Sequence, residues 1–312
     1  MTRRLAAVTG ATGFLGGRLV PALIGAGWTV RALSRREPDP AAWEGAAPEI
    51  VRGDLDDPSA LGRLCDGATV VIHGAGLIKA RDLAAFLAVN EAGSARVAQA
   101  AKDAGARLLA ISSLAAREPA LSDYAASKAA GEAAARGVFG DALSVLRPPA
   151  IYGPGDRETL GLFRLAATSS LMPLPGDPAA RLALAHVDDV CAQVLHLLDT
   201  PTPGTWTVGG ARPEGYAWRE VFETAAQVFG RRIDFIPVGV GVLKAAGVLS
   251  ELGGRITGRP AIFGRGKVRE LLHTDWSVGA AEQAPNGPPA RYDLATGFAA
   301  TAAWYRAAGW LA

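Results

Sequence analysis

Thr9-Gly10-Ala11-Thr12-Gly13-Phe14-Leu15-Gly16-Gly17 follows the apolar run Leu5-Ala6-Ala7-Val8 and opens a helical pattern of Leu15, Leu19 and Leu23. A glycine-rich bend between a buried strand and a helix lets bare backbone approach a ligand. It also directs the unpaired amides of the helix N-terminus at an anion. Gly10, Gly13 and Gly16 are spaced G-x-x-G-x-x-G, with a wider first gap than the G-x-G-x-x-G arrangement. A second apolar stretch, Trp28 to Leu33, arrives after Gly25-Ala26-Gly27 and completes a β-α-β unit. The ligand implied is a dinucleotide pyrophosphate.

Beyond this unit, apolar strands alternate with helical patterns. Strands are expected at Glu49 to Arg52, Thr69 to His73, Leu108 to Ile111 and Leu143 to Leu146. Helices are expected from Ser59 to Cys65, Ala84 to Ala104 and Tyr124 to Gly137. Strands that are apolar without alternation, each separated by a helix, imply a parallel sheet covered on both faces. The fold class expected is α/β, a doubly wound parallel sheet of the Rossmann type with a smaller C-terminal α/β substrate lobe. Residues 1–150 should form the dinucleotide-binding domain, with 184–209 returning to it, and 151–312 mainly the substrate-binding lobe.

Composition excludes several classes. With 32 Lys and Arg against 30 Asp and Glu, the formal net charge is +2, which leaves no electrostatic basis for a nucleic-acid partner. Cys65 and Cys191 stand alone, without C-x-x-C spacing, so neither a disulfide framework nor a metal site is indicated. Arg3 and Arg4 precede an apolar stretch that Thr9, Gly10 and Thr12 interrupt too soon for a signal peptide. Ile236 to Leu249 is the longest later apolar stretch, but Pro237, Lys244 and four glycines leave it short of a membrane span. A soluble, cytoplasmic protein is expected; that stretch could form an amphipathic helix that touches a membrane or a partner.

In doubly wound sheets the ligand sits beyond the carboxyl ends of the strands. The second strand ends in Ser34, Arg35 and Arg36, where an enzyme specific for NAD places a carboxylate for the ribose hydroxyls. A hydroxyl and a guanidinium suit a 2′-phosphate, so NADP is the cofactor expected, with NAD as the alternative. Asp54, with Leu55 after the third strand, could accept from the adenine amino group or simply form an Asx turn.

Tyr124 and Lys128 stand at i and i+4, so on a helix they share a face. A nearby ammonium stabilises a phenolate, making a tyrosine that titrates near pH 10 usable as an acid and base closer to neutrality. A serine at the neighbouring strand end, Ser112 or Ser113, could donate to the same substrate oxygen. These groups and a nicotinamide meet the needs of hydride transfer at a carbonyl or alcohol.

Taken in order, the glycine turn, Asp54-Leu55, His73-Gly74-Ala75-Gly76, Asn90 with Gly93, Ser112-Ser113, Tyr124-x-x-x-Lys128, Arg147-Pro148-x-x-Ile151-Tyr152-Gly153-Pro154-Gly155-Asp156 and His186-Val187-Asp188-Asp189 cover about two thirds of the chain. The chain thereby resembles the extended short-chain dehydrogenase/reductase family, the NAD-dependent epimerase/dehydratase group. The resemblance implies a triad of Ser113, Tyr124 and Lys128, with Ser112 as the alternative serine. It also implies cofactor contacts from Gly10, Thr12, Gly13, Phe14, Leu15 and Gly16. Gly74, Ala75 and Gly76 would run along the adenosine, Asn90 would support the active site, and backbone from Pro148 to Ile151 would meet the nicotinamide carboxamide. Asp188 would cap a helix returning to the sheet, with His186 structural.

The sequence departs from the nucleotide-sugar members in its short stretch between Ser113 and Tyr124, and it lacks the acidic pair that elimination needs. The C-terminal third is rich in scattered aromatics, among them Trp206, Tyr216, Trp218, Phe222, Phe263 and Trp276, and ends in a helix expected from Ala299 to Ala308. Arg265 and Lys267 could meet an acidic substrate group or line a solvated helix face. The function expected is NADP-dependent hydride transfer between the nicotinamide and a carbonyl or secondary alcohol of a small substrate on an apolar or lipid-like scaffold. A nucleotide-sugar epimerase with tightly held NAD and a non-catalytic dinucleotide-binding sensor or assembly protein are the alternatives. Homodimerisation is usual for such relatives.

Overall fold

The computed structural model describes residues 4–257 and 263–311; Arg3 lies outside them. In chain order the first elements are β1 (Leu5–Thr9), α1 (Phe14–Gly25), β2 (Thr29–Ser34), β3 (Glu49–Arg52), α2 (Pro58–Cys65), β4 (Val70–His73), α3 (Leu83–Asn90), α4 (Ala92–Asp103), β5 (Arg107–Ile111), α5 (Asp123–Phe139) and β6 (Ser144–Arg147). There follow β7 (Ala150–Tyr152), α6 (Leu160–Thr168), β8 (Leu171–Pro175), β9 (Arg181–Leu182), β10 (Leu184–His186), α7 (Val187–Asp199) and β11 (Gly204–Thr207). The chain ends with α8 (Trp218–Gln227), β12 (Asp234–Val238), α9 (Val240–Thr257), α10 (Arg265–Leu272), β13 (Asp275–Trp276) and α11 (Leu294–Ala307). Two compact units result, residues up to 147 with 191–206, and 148–190 with 207 onward.

In the first unit β6, β5, β4, β1, β2 and β3 lie side by side in that order and pair in parallel, with β11 beyond β6 as the seventh strand. β1 and β4 are buried at every position, as a sheet sandwiched between helices requires. Leu33, Val51, Leu61, Leu64, Val97 and Val145 join strands to helices in one core. This is the doubly wound α/β fold of the Rossmann type. Strand order reverses between β1 and β4, and the register sets Thr9 opposite His73. The crevice for a ligand therefore opens where those two strands end.

Three helices of this unit start on side-chain caps: Asp57 accepts from the Ala60 amide, Asp82 from that of Ala85 and Ser122 from that of Ala125. Each cap contributes roughly 1 kcal/mol. The single helix expected from Ala84 to Ala104 is in fact α3 and α4, parted at Glu91. At that point the Ser94 hydroxyl donates to the Asn90 carbonyl at 2.6 Å, a side-chain bond that competes with the helical ladder. α5 crosses at the same place, so close that a methyl at Gly131 would stand 2.4 Å from the Asn90 carbonyl oxygen.

Two other expected boundaries shift. α7 begins at Val187, which puts Asp188 inside the first turn instead of at the cap; Asp189 instead accepts from the Arg291 and Tyr292 amides. α11 begins at Leu294 because Asp293 caps it through the Thr296 amide.

The second unit has its own core, in which Phe163 meets Phe298 and Tyr305 edge to face with ring centroids 5.0 and 5.3 Å apart. Tyr216 and Phe222 pack into or against it. β7 pairs with β10, β8 with β12 and β9 with β13, each in parallel. Arg265 pairs with Glu251 at 2.7 Å and Lys267 with Glu270 at 3.4 Å, so both cations are answered by carboxylates of their own unit.

α5 is tied to β6 by a bidentate pair in which Arg147 donates to both oxygens of the nearly buried Glu132, at 2.8 and 2.6 Å. Removing one partner strands a partly buried charge. Glu132→Ala should lower the unfolding free energy by about 2–4 kcal/mol, measured as a shift in denaturant midpoint at unchanged slope; a shift near zero would show that water compensates Arg147.

Candidate active site

The first turn is built by close contact. Gly10 has φ +75°, and a methyl there would stand 2.6 Å from the Gly74 carbonyl carbon; one at Gly16 would stand 2.2 Å from the Gly10 carbonyl oxygen. The Gly13 amide donates to the Gly10 carbonyl at 3.0 Å, closing the bend. Gly13 is the N-cap of α1 and offers no side-chain bond, so the first-turn amides beyond it, at Phe14 and Leu15, have no side-chain cap. A glycine-rich bend that leads into a helix without a side-chain cap fits a pyrophosphate. On its other flank Trp43 donates its indole N–H to the Ala11 carbonyl at 2.9 Å. The expected residues Gly10, Gly74 and Ala75 are thus brought together, with Thr12, Phe14 and Leu15 in or directly after the same turn.

A chain of polar side chains runs inward from there. The Ala75 amide donates to Thr9 Oγ1 at 3.2 Å, and Thr9 Oγ1 lies 2.8 Å from His73 Nδ1. His73 Nε2 lies 3.0 Å from Ser94 Oγ, whose proton goes to the Asn90 carbonyl. Because each hydroxyl has one proton to give, the network assigns the proton of the His73 ring to Nε2. Asn90 continues the line: its amide group donates to the Leu77 carbonyl at 3.0 Å and to Ser127 Oγ at 2.9 Å, and Ser127 donates to the Tyr124 carbonyl at 2.8 Å. Burial, and secondarily the charge of Lys128, drives the His73 pKa down to about 3. The ring is therefore neutral at pH 7.

Lys128 donates to the Ile111 carbonyl at the end of β5, at 3.0 Å. Burial lowers its pKa to about 8, while Glu132 pulls the other way. A methyl at Gly76 would lie 3.0 Å from Asn90 Oδ1 and 3.8 Å from the Lys128 amine, so these three expected residues lie together. Tyr124 sits half-buried in the first turn of α5, its ring 6.1 Å from that of Phe86. Of the two serines, Ser113 caps the short helical turn at Leu114–Arg117 by accepting from the Ala115 amide at 3.2 Å, which leaves its proton to donate. The Ser112 hydroxyl is buried without a hydrogen-bond partner, although its amide reaches the Leu146 carbonyl at 2.7 Å.

At the end of β2 the Ser34 hydroxyl donates to the Arg36 carbonyl at 2.7 Å, shaping the turn, while Arg35 and Arg36 are exposed. Asp54 accepts from the Asp56 amide at 2.8 Å, an Asx turn that leads Leu55 against Gly93. Pro148 and Ile151 open the second unit, where Ile151 pairs with Ala185. In that unit His186 is buried and stacked on Tyr292, ring centroids 3.8 Å apart.

Sequence reasoning passed over Ser94, Ser127 and Glu132, three polar residues on alanine-rich helices that turn out to be buried. The available signal was their phase. Ser94 follows Asn90 by four positions and Ser127 follows Tyr124 by three, so each shares a helix face with a residue already singled out.

Known proteins share this fold. The model of the NAD dependent epimerase/dehydratase family matches residues 6–209. The chain is 49% identical over 309 residues to a ceramide reductase of Caulobacter vibrioides, covering 99% of this chain and 96% of that protein. Among solved structures, gox2253 superposes with a TM-score of 0.79 at 21% identity over 100% of both chains. A UDP-glucose 4-epimerase of Thermus thermophilus, solved with NAD, superposes with a TM-score of 0.72 at 22% identity over 98% of this chain and 99% of that one. The chain belongs to the NAD-dependent epimerase/dehydratase family, within the extended short-chain dehydrogenases, and is an NAD(P)-dependent enzyme of the oxidoreductase and epimerase type.

Proposed function

We propose that the chain is an NADPH-dependent reductase of a ketone carried on a ceramide-like lipid. The observation that carries this reading is the likeness to a ceramide reductase along nearly the whole of both chains. The uncapped, glycine-rich turn at Gly10 to Gly16 would hold the pyrophosphate, with Gly74 to Gly76 along the adenosine and Pro148 to Ile151 toward the carboxamide. Arg35, supported by Ser34 and Arg36, would meet the 2′-phosphate; no carboxylate ends β2 to repel it.

When bound, that cofactor supplies the hydride for the carbonyl carbon. The remaining work falls to the chain. Tyr124 gives its phenolic proton to the carbonyl oxygen as negative charge grows there. Lys128, its ammonium held beside β5 by the Ile111 carbonyl, stabilises the phenolate left behind and would hold the nicotinamide ribose. Ser113 has a proton to donate to the same oxygen. Asn90, pinned by Leu77 and Ser127, keeps the start of α5 in place. Its carboxamide thereby acts on Tyr124 through the backbone and touches no reacting atom.

Turnover is read as NADPH consumption with a ketone analogue of ceramide dispersed in detergent. Tyr124→Phe should reduce kcat by roughly 100-fold or more with cofactor affinity nearly unchanged; full turnover in that variant would remove the phenol from the chemistry. Retention of tightly bound NAD through purification, with no net cofactor turnover, would instead mark an epimerase.

Arg35→Asp should reverse the cofactor preference, weakening NADPH about tenfold or more while leaving NADH binding close to wild type. Calorimetric titration of both cofactors measures it, and an unchanged ratio would refute the phosphate contact.

Lys128→Met separates stability from function. The folded pKa of about 8 lies below the ordinary lysine value of 10.5. Below pH 8 both states are protonated, and the native state carries the full cost of a desolvated ammonium. As pH rises from 8 to 10.5 the native state releases its proton first, and that cost lifts. The variant should therefore be more stable than wild type at pH 7, by on the order of 1–3 kcal/mol, with the difference shrinking above pH 8 and turnover lost.

A further inference from the structure

Among the described residues of the first unit, two large apolar side chains stand in solvent, Ile78 at 59% and Leu83 at 37% exposure. Leu83 is the first residue of α3, and Ile78 lies in the turn that leads into it. α3 reads Leu83-Ala84-Ala85-Phe86-Leu87-Ala88-Val89-Asn90, apolar at every position before the last, yet only Phe86 and Asn90 are buried. A helix that is apolar all round is ordinarily covered on every side or crosses a membrane. α3 is only about 12 Å long, and no helix among the described residues is long and apolar enough to cross a membrane. Its open side therefore suits a smaller apolar partner.

Position identifies that partner. The Phe86 ring lies 6.1 Å from that of Tyr124, and Leu83, three residues earlier, is its neighbour on the same helix face, about 5–6 Å away between Cβ atoms. Asp82 fixes where this face begins: one carboxylate oxygen accepts from the Ala85 amide at 2.9 Å and the other from Arg81 at 3.1 Å. The turn that carries Ile78 is held as firmly. The Asn90 carboxamide accepts from the Leu77 amide at 2.7 Å and donates to the Leu77 carbonyl at 3.0 Å, and it also reaches Ser127 on the helix of Tyr124. A ketone whose oxygen sits about 3 Å from the phenol oxygen carries its nearest carbons past the Tyr124 ring, and what stands next to that ring on α3 is hydrocarbon. Two exposed side chains on so short a helix fall far below the roughly 800 Å² per partner of a stable protein interface. They match a single alkyl chain.

We propose that Ile78, Leu83 and Phe86 receive the alkyl chain attached to the substrate carbonyl, and so set a preference for long-chain aliphatic ketones. The proposal rests on the reductase reading for the ketone, but its test reads binding as well as turnover. Calorimetric titration of 2-alkanols of six to twelve carbons at saturating NADP should show wild-type affinity rising about three- to fourfold per methylene over the first several carbons. In Ile78→Ser/Leu83→Ser the rise should fall below twofold per methylene, so that its deficit grows with chain length to at least thirtyfold at twelve carbons. The conservative Ile78→Val/Leu83→Met, which keeps the hydrocarbon, should restore the wild-type slope. The kcat/KM values of the matching 2-alkanones should follow the same three slopes. Both substituted side chains are exposed, so the melting temperatures should stay at the wild-type value.

A wild-type affinity independent of chain length, or equal slopes in wild type and the serine variant, overturns the proposal. A wild-type dimer that the serine variant splits into monomers, with equal slopes in the two, also overturns it and assigns the open side of α3 to self-association. A slope in alkanol binding with no ketone of any length reduced would count against the reductase reading alone. Reduction of ketones at rates that ignore chain length would count against the alkyl seat alone.

Discussion

The first unit depends on an uncharged imidazole held between two hydroxyls. His73 ends β4 inside the protein, where a protonated ring would be costly, and it stays neutral because Thr9 and Ser94 satisfy both ring nitrogens. Through Thr9 it is tied to the Ala75 amide beside the glycine turn, and through Ser94 to the point where α3 gives way to α4. Asn90 and Ser127 carry the same line on to the backbone of Tyr124. The glycine turn after β1 and the start of α5 at Tyr124 are thus parts of one polar framework in a hydrophobic core. A framework whose members are all satisfied specifies one arrangement, and one with a gap does not.

The same region carries a cost that folding alone would not select. Lys128 keeps an ammonium where burial lowers its pKa, with a backbone carbonyl as its partner. Ser112 buries a hydroxyl with none. Both lie where β5 ends and α5 begins, and the cost of desolvation is local, while the well-paired Glu132 and Arg147 secure the same helix one turn further on. Stability is given up where polar groups must stay available and recovered where they need not.

Much of this was legible in the chain because it is written in short-range patterns. Unbroken apolar runs announced a buried parallel sheet, and β3 falls on the expected residues Glu49 to Arg52. The glycine spacing located the turn, and the four-residue step from Tyr124 to Lys128 located a shared helix face. What the sequence concealed was set by tertiary contact. The break at Glu91 coincides with the bond from the Ser94 hydroxyl to Asn90 and with the close approach of α5 at Gly131, neither of which periodicity encodes. The start of α11 moved because Asp293 is a better cap than any residue near Ala299. Ser34 looked like a phosphate ligand from its position alone, yet its proton is committed to the Arg36 carbonyl, which leaves the positive charge of the turn to the arginines.

Trp43 belongs to no catalytic scheme, yet its indole N–H rests on the Ala11 carbonyl in the middle of the glycine-rich bend. Indole emission responds to the polarity and hydrogen bonding around that nitrogen. One of the chain's seven tryptophans is therefore an internal optical gauge of the conformation of that bend.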